Sequence, residues 1–182
     1  QTSSLVDNKL YFFGGDLSST DGINDSTANL TNEVSPIDNS VFIVGRRMYI
    51  PNTANPVSNY SPVYKFNPNI SLWTTPNIIG FNSSFIKRND IQPVIDTYGK
   101  KYIFGGNNFT GSAMQSVSSY NDMNILDVTS MTWSTITLSN NVPASAAYTA
   151  TLLQTGLIIY IGGYKSSIVG TFIVSEAISM YE

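Results

Sequence analysis

Lys101-Tyr102-Ile103-Phe104-Gly105-Gly106 is the stretch that decides the fold. A short run of aromatic and β-branched residues closed by a turn signal reads as a buried strand. Paired glycines permit positive φ and close backbone approach where that strand ends. The same pattern recurs on both sides of it, as Leu10-Tyr11-Phe12-Phe13-Gly14-Gly15, Val41-Phe42-Ile43-Val44-Gly45-Arg46 and Ile158-Ile159-Tyr160-Ile161-Gly162-Gly163. One Gly-Gly pair would be a weak signal; four strand-and-glycine runs are a repeat, and a repeat decides architecture before local structure does.

A second element keeps the same period. Phe66-Asn67-Pro68-Asn69-Ile70-Ser71-Leu72-Trp73 and Leu126-Asp127-Val128-Thr129-Ser130-Met131-Thr132-Trp133 each place a large apolar residue seven positions before a tryptophan. Trp73 and Trp133 lie 60 residues apart, as do Gly45 and Gly105, and Gly105 to Gly162 is 57.

Strand, glycine pair and distant tryptophan together resemble the kelch repeat, over nearly the whole chain and with a period above the ~50 residues usual for that family. The chain is similar in particular to the Asn- and Ser-rich kelch proteins of filamentous fungi. The resemblance implies an all-β fold in which each repeat is one four-stranded antiparallel blade of a β-propeller. It also makes Gly14, Gly15, Gly45, Gly105, Gly106, Gly162, Gly163, Trp73 and Trp133 structural signature residues, with both tryptophans buried between blades.

With strands labelled a to d, the chain reads as one domain, 1–182, of about three and a half blades. Blade three (~91–139) is complete, with a at Pro93–Asp96, b at Lys101–Gly105, c at Met123–Asp127 and d at Thr132–Leu138. Blade four (~145–182) carries a at Tyr148–Leu153, b at Leu157–Gly162 and c at Ala177–Tyr181, and lacks d. Asn32-Glu33-Val34-Ser35-Pro36-Ile37-Asp38 aligns with Asn121-Asp122-Met123-Asn124-Ile125-Leu126-Asp127. This predicts that it is strand c of blade one (~1–38, lacking d), so that blade two (~41–80) lacks a. The step from Gly15 to Gly45 is only 30 residues, half the period.

Such an array is too short for a closed single-chain ring, and open edges are aggregation hazards. Three explanations stand: a piece of a longer chain, two copies closing one ring, or an open stack. Gln1 in place of Met fits removal of a leader and fits a piece of a longer chain equally.

Composition narrows the function. Charged residues are 12% of the chain, against roughly 25% in an ordinary soluble domain, and the net charge is −3. Nothing there attracts a phosphate backbone, so no nucleic-acid partner is expected. No apolar run reaches the ~18 residues of a membrane span. The chain has no Cys and no His, which removes disulfides, the commonest general base and the commonest metal ligand. Copper-radical oxidation of the galactose-oxidase type needs His ligands and a Cys-linked Tyr, so it is excluded. Sialidase-like hydrolysis needs an arginine cluster, and only Arg46, Arg47 and Arg88 are present. Asp16, Asp21 and Asp25 share one segment and could offer oxygen ligands to calcium, but their spacing matches no EF-hand and acidic surface loops are commoner. No metal, cofactor or catalytic residue is expected.

Antiparallel order places a–b and c–d turns at one end of each blade and b–c and d–a connections at the other. The b–c connections are long, at 16–31, 51–59, 107–120 and 164–175, and long loops on a rigid scaffold are where binding concentrates. Sequons stand at Asn24, Asn29, Asn59, Asn69, Asn82 and Asn108, all but Asn69 on the long-loop end. They are candidate N-glycosylation sites. Arg46-Arg47 replaces the second glycine of its pair, which is consistent either with a cation aimed inward or with a merely relaxed turn. The expectation is a non-catalytic module for a protein or glycan partner, extracellular or at the cell surface. The alternative is a structural protein whose open edges pair between copies as a homo-oligomer.

Overall fold

The computed structural model describes residues 2–6, 9–13, 16–18, 24–26, 31–44, 61–85, 88, 90–110, 116–138, 142–166, 172–174 and 179–181. Among them the chain is all β, with one 3-10 turn at Ser83–Phe85 and no α-helix. Three sheets have four strands and three have two, and every strand pairing is antiparallel.

Unit one is the pair β1 (Thr2–Val6) and β2 (Lys9–Phe13), followed by a short hairpin of β3 (Asp16–Ser18) and β4 (Asn24–Ser26). Unit two is a complete sheet in the order β5 (Thr31–Val34), β6 (Val41–Val44), β7 (Val63–Asn67), β8 (Leu72–Thr74). Unit three orders β9 (Val94–Ile95), β10 (Lys100–Phe104), β13 (Asp122–Asp127) and β14 (Thr132–Thr137), with a hairpin of β11 (Asn107–Thr110) and β12 (Ser116–Ser119) inserted between its second and third strands. Unit four pairs β15 (Ser145–Leu152) with the long β16 (Ile158–Ser166). The first part of β16 carries β18 (Ser179–Tyr181) and its last residues carry β17 (Phe172–Val174).

This corrects the division expected for the first half of the chain. Thr31–Val34 is not a third strand of unit one. It pairs residue for residue with Val41–Val44, Val34 opposite Val41, and so is the first strand of a complete unit two. Pro36 is the reason. It has no amide proton to give a ladder, and Pro36–Asp38 is a turn instead. Ser35 N–H donates to Ser40 O at 2.8 Å, and the Asp38 carboxylate accepts from the Ser40 amide and hydroxyl. Among the described residues, unit two is therefore a full four-stranded sheet and the sheet of unit one has two strands.

Three hydrophobic layers join the four units. Val6 packs with Val41, Ile43 and Phe66 between units one and two. Phe42, Val44 and Val63 meet Phe85, Ile91, Ile103, Leu126 and Trp133 between two and three. Val94, Phe104 and Met123 meet Tyr148, Ala150, Ile158 and Tyr160 between three and four. All four residues of β6 are buried because alternate side chains serve opposite layers. That explains why these strands read as continuous apolar runs rather than as alternating ones. Full burial of each such side chain contributes roughly 1.5–3 kcal/mol.

The turns between third and fourth strands repeat closely. Asn67 Oδ1 accepts the Asn69 amide at 3.0 Å, and Asp127 Oδ1 accepts the Thr129 and Ser130 amides at 2.9 and 3.1 Å. Ser71 and Met131, at matching positions, both have positive φ, 51° and 53°. The Thr129 hydroxyl, together with these backbone amides, holds the Asp127 carboxyl below its usual range.

Candidate binding face

In unit three the connections after the second and fourth strands leave the sheet at one end, opposite the turn that joins β13 to β14. The expected long loops are in three units β-hairpins, each beginning just after a glycine pair: β3–β4, β11–β12 and the far part of β16 with β17. The corresponding segment of unit two, 45–60, lies outside the described residues, together with Gly45, Arg46, Arg47 and Asn59. So do Gly14, Gly15, Asp21 and Asn29.

Unit three shows how a hairpin is fixed. Gly105 (φ +58°) and Gly106 (φ +90°) turn the chain out of β10. A Cβ on Gly105 would collide with the carbonyl oxygens of Ser145 and Tyr120, so only glycine fits this crossing of units three and four. Gly106 N–H donates to Ser145 O at 2.9 Å, Tyr120 N–H to Gly106 O at 3.1 Å, and Ser145 N–H to Tyr120 O at 3.3 Å. Gly163 repeats the constraint in unit four: its Cβ would lie 2.6 Å from Ala146 O.

Beneath this crossing lies Arg88, on the connection between units two and three, with its side chain 1% exposed. Its guanidinium bonds the Asp122 carboxylate through two nitrogens, donates to Gly105 O at 3.1 Å, and lies 3.7 Å from the Tyr120 ring centroid and 5.2 Å from that of Phe85. A bidentate carboxylate and two aromatic faces suit the planar, permanently charged arginine and not lysine. Nearby, Asn107 Nδ2 donates to Asp90 Oδ2 at 3.4 Å, and Ser119 Oγ donates to Asn107 Oδ1 at 2.6 Å. The root of the hairpin is therefore tied to its own sheet, to the preceding connection and to the next unit. Sequence reasoning passed over Asp90, Asn107, Tyr120 and Asp122, and read Arg88 only as too few arginines.

A second buried charge lies between units two and three. Lys101 is 0% exposed and donates from Nζ to Phe42 O at 2.9 Å. Burial lowers its pKa to about 8, partly opposed by attraction to Glu33. Burial likewise raises the Glu33 carboxyl, against the pull of Lys101. Leu10, Val41 and Ile158 fill the equivalent slot in the other strand-and-glycine runs, so the charge is peculiar to this contact.

The two signature tryptophans differ. Trp133 is 5% exposed, with Phe81 and Phe85 edge-on at 4.9 and 4.8 Å, and its Nε1–H donates to Asn124 Oδ1 at 3.2 Å. Trp73 is 46% exposed and lies 4.9 Å from Phe66, against the expectation that both are buried. The cover on Trp133 comes from the connection ahead of its unit: Ile79 pairs with Thr132, Trp133 N–H donates to Ile79 O at 2.8 Å, and Ile78 and Phe81 pack alongside. Ahead of unit two only residues 27–30 stand between β4 and β5, whereas residues 75–93 stand between β8 and β9 ahead of unit three.

The sequons separate in the same way. Asn69 is exposed on a turn at the opposite end. Asn82 has its Nδ2 donating to Thr135 Oγ1 at 3.3 Å and its Oδ1 accepting the Ser84 amide at 3.0 Å. Asn108 lies on β11 and its Oδ1 is buried without a partner, while Asn24 lies on β4. Backbone pairing sets Asp16 opposite Ser26 and Asp25 opposite Leu17. Among the described residues no cluster of acidic residues is arranged to hold a metal, and no helix is long and apolar enough to cross a membrane.

No family model and no curated protein matches the chain. Among solved structures it is similar to one described as "Structure of YjhT", with a TM-score of 0.52 and 15% identity. The match covers 76% of this chain and 34% of that one, so this chain spans about a third of the length of that structure. Among the described residues the molecule is thus all-β, with several four-stranded antiparallel sheets.

Proposed function

We propose that the four units are kelch-type blades of a β-propeller, and that the chain is a non-catalytic binding module for a protein or glycan partner. The observation that carries this reading is the repeated hairpin: three units carry one directly after a glycine pair, and in unit three its root is held by Arg88, Asp122 and Tyr120. Polar segments raised on a rigid, close-packed scaffold are suited to recognition. The absence of His and Cys from the sequence argues for binding rather than chemistry.

Replacing residues 110–116 by a two-residue Gly turn tests the reading on a glycan array and a panel of immobilised cell-surface proteins. The intact chain is expected to bind a member of one of these sets and the shortened chain to lose it, with the unfolding midpoint unchanged. Binding that survives shortening of all three hairpins would contradict the choice of face. An extracellular or cell-surface location goes with this reading. Mass spectrometry of the sequon peptides from the native source checks it, and Asn69, which is exposed, is expected to carry sugar. The alternative reading, pairing of open units between copies, is favoured by one exposed residue on unit four, Ile161.

A further inference from the structure

Lys101 and Glu33 stand at places in the repeat that the next contact fills differently. Lys101 lies four residues ahead of Gly105, as Ile158 does of Gly162. Glu33 pairs with Phe42 across the β5–β6 ladder, and Val94 pairs with Tyr102 across β9–β10. Phe42 and Tyr102 each lie three residues ahead of their glycine, so Glu33 and Val94 are equivalent. At the contact of units two and three the two places therefore hold Glu33 and Lys101; at the contact of units three and four they hold Val94 and Ile158. The first is a pair of opposite charges attracted to each other, with Lys101 0% exposed and Glu33 partly buried. The second is apolar, Val94 and Ile158 being 7% and 2% exposed in one layer.

Units alike enough to stack in series are alike enough to stack on the wrong neighbour, within a refolding chain or between two copies. Both places sit in close-packed layers, where a charge without its partner is costly. Unit four set on unit two would put Ile158 against Glu33. Unit three set on unit three of a second copy would put Lys101 against Val94. The first mismatch takes the cation from a partly buried carboxylate, and the second leaves a buried ammonium with no carboxylate. We propose that Glu33–Lys101 at one contact and Val94–Ile158 at the next form a pairing code, which fixes the unit that docks on each and bars mismatched docking between copies of the chain. The charges do not make the matched contact tighter, since a well-packed apolar pair is often as stable as a buried ion pair. What they add is a penalty on the wrong partner. The code depends only on packing between neighbouring units, and holds whether or not they belong to a propeller.

Refolding of the full chain from urea over a concentration series tests it, with the products separated by sedimentation velocity. Glu33→Val with Lys101→Ile makes the two contacts alike. That double variant is expected to keep or raise the urea midpoint, yet to give several-fold more multi-chain species than the native chain. A pair that only stabilised the fold would not raise association at an undiminished midpoint. Glu33→Val alone is expected to lower the midpoint, and the addition of Lys101→Ile to recover it. Moving the charges to the other contact supplies a second test that stands even where the apolar variant does not fold. Val94→Glu alone is expected to lower the midpoint sharply, and the addition of Ile158→Lys to recover most of the loss. A double apolar variant that refolds to the same species as the native chain at every concentration overturns the code, and so does a Val94→Glu loss that Ile158→Lys leaves unrelieved.

Discussion

Units two and three share a strand order, a turn with matched positive-φ residues and a tryptophan at the same place in the repeat, yet Trp73 is 46% exposed and Trp133 5%. The difference lies outside both sheets. Unit three is preceded by a connection long enough to lay Ile78, Ile79, Phe81 and Phe85 over its tryptophan, and unit two follows β4 after only residues 27–30. In a repeat array a residue's environment is set by its neighbour as much as by its own motif.

The comparison is broken most severely at Trp133. Trp133→Ala is expected to cost about 4 kcal/mol in denaturant unfolding, since it empties a site closed by two aromatic rings. Arg88→Met attacks the cover itself. It should cost about 3 kcal/mol, because Asp122 then loses its charge partner at a site Arg88 fills almost completely. Both variants would show as a lowered urea midpoint with an unchanged slope.

Lys101 sharpens the same contact through pH. Its folded pKa, about 8, lies below the ordinary 10.5. The unfolded chain therefore binds that proton more tightly, and stability rises as pH climbs from about 8 to 10.5. The cost of burying the charge is fully present below that window, and the rise amounts to about 3 kcal/mol. Lys101→Leu, restoring the residue type of the other units, should abolish the rise between pH 8 and 10; unfolding curves at the two pH values check it. Glu33 has the opposite sign. Its raised pKa gives a contribution present at acid pH that is lost as pH rises through its folded value. Trp73→Ala is the smallest effect, about 1 kcal/mol, because much of that ring is already in water.

Much of the fold was legible. Each apolar run ahead of a glycine is a strand, because strands buried on both faces need no alternation. The Asn-acid-apolar pattern around Thr31–Val34 matches β13 and points to the wrong unit, and Pro36 is the residue that speaks against the match. The hairpins look like loops in the sequence because segments such as Asp16–Ser18 and Ser116–Ser119 are short and polar, with little periodicity to detect. The Arg88 site depends on residues 34 apart in the chain, and no local pattern announces such a pair.

The account turns on the unequal cover of two equivalent tryptophans, and the chain has only these two. Trp73→Phe and Trp133→Phe therefore isolate each indole for fluorescence and acrylamide quenching. The account predicts that Trp133 alone emits at shorter wavelength and is shielded from quencher, while Trp73 alone emits to the red and is readily quenched. Equal emission and equal quenching of the two would contradict it.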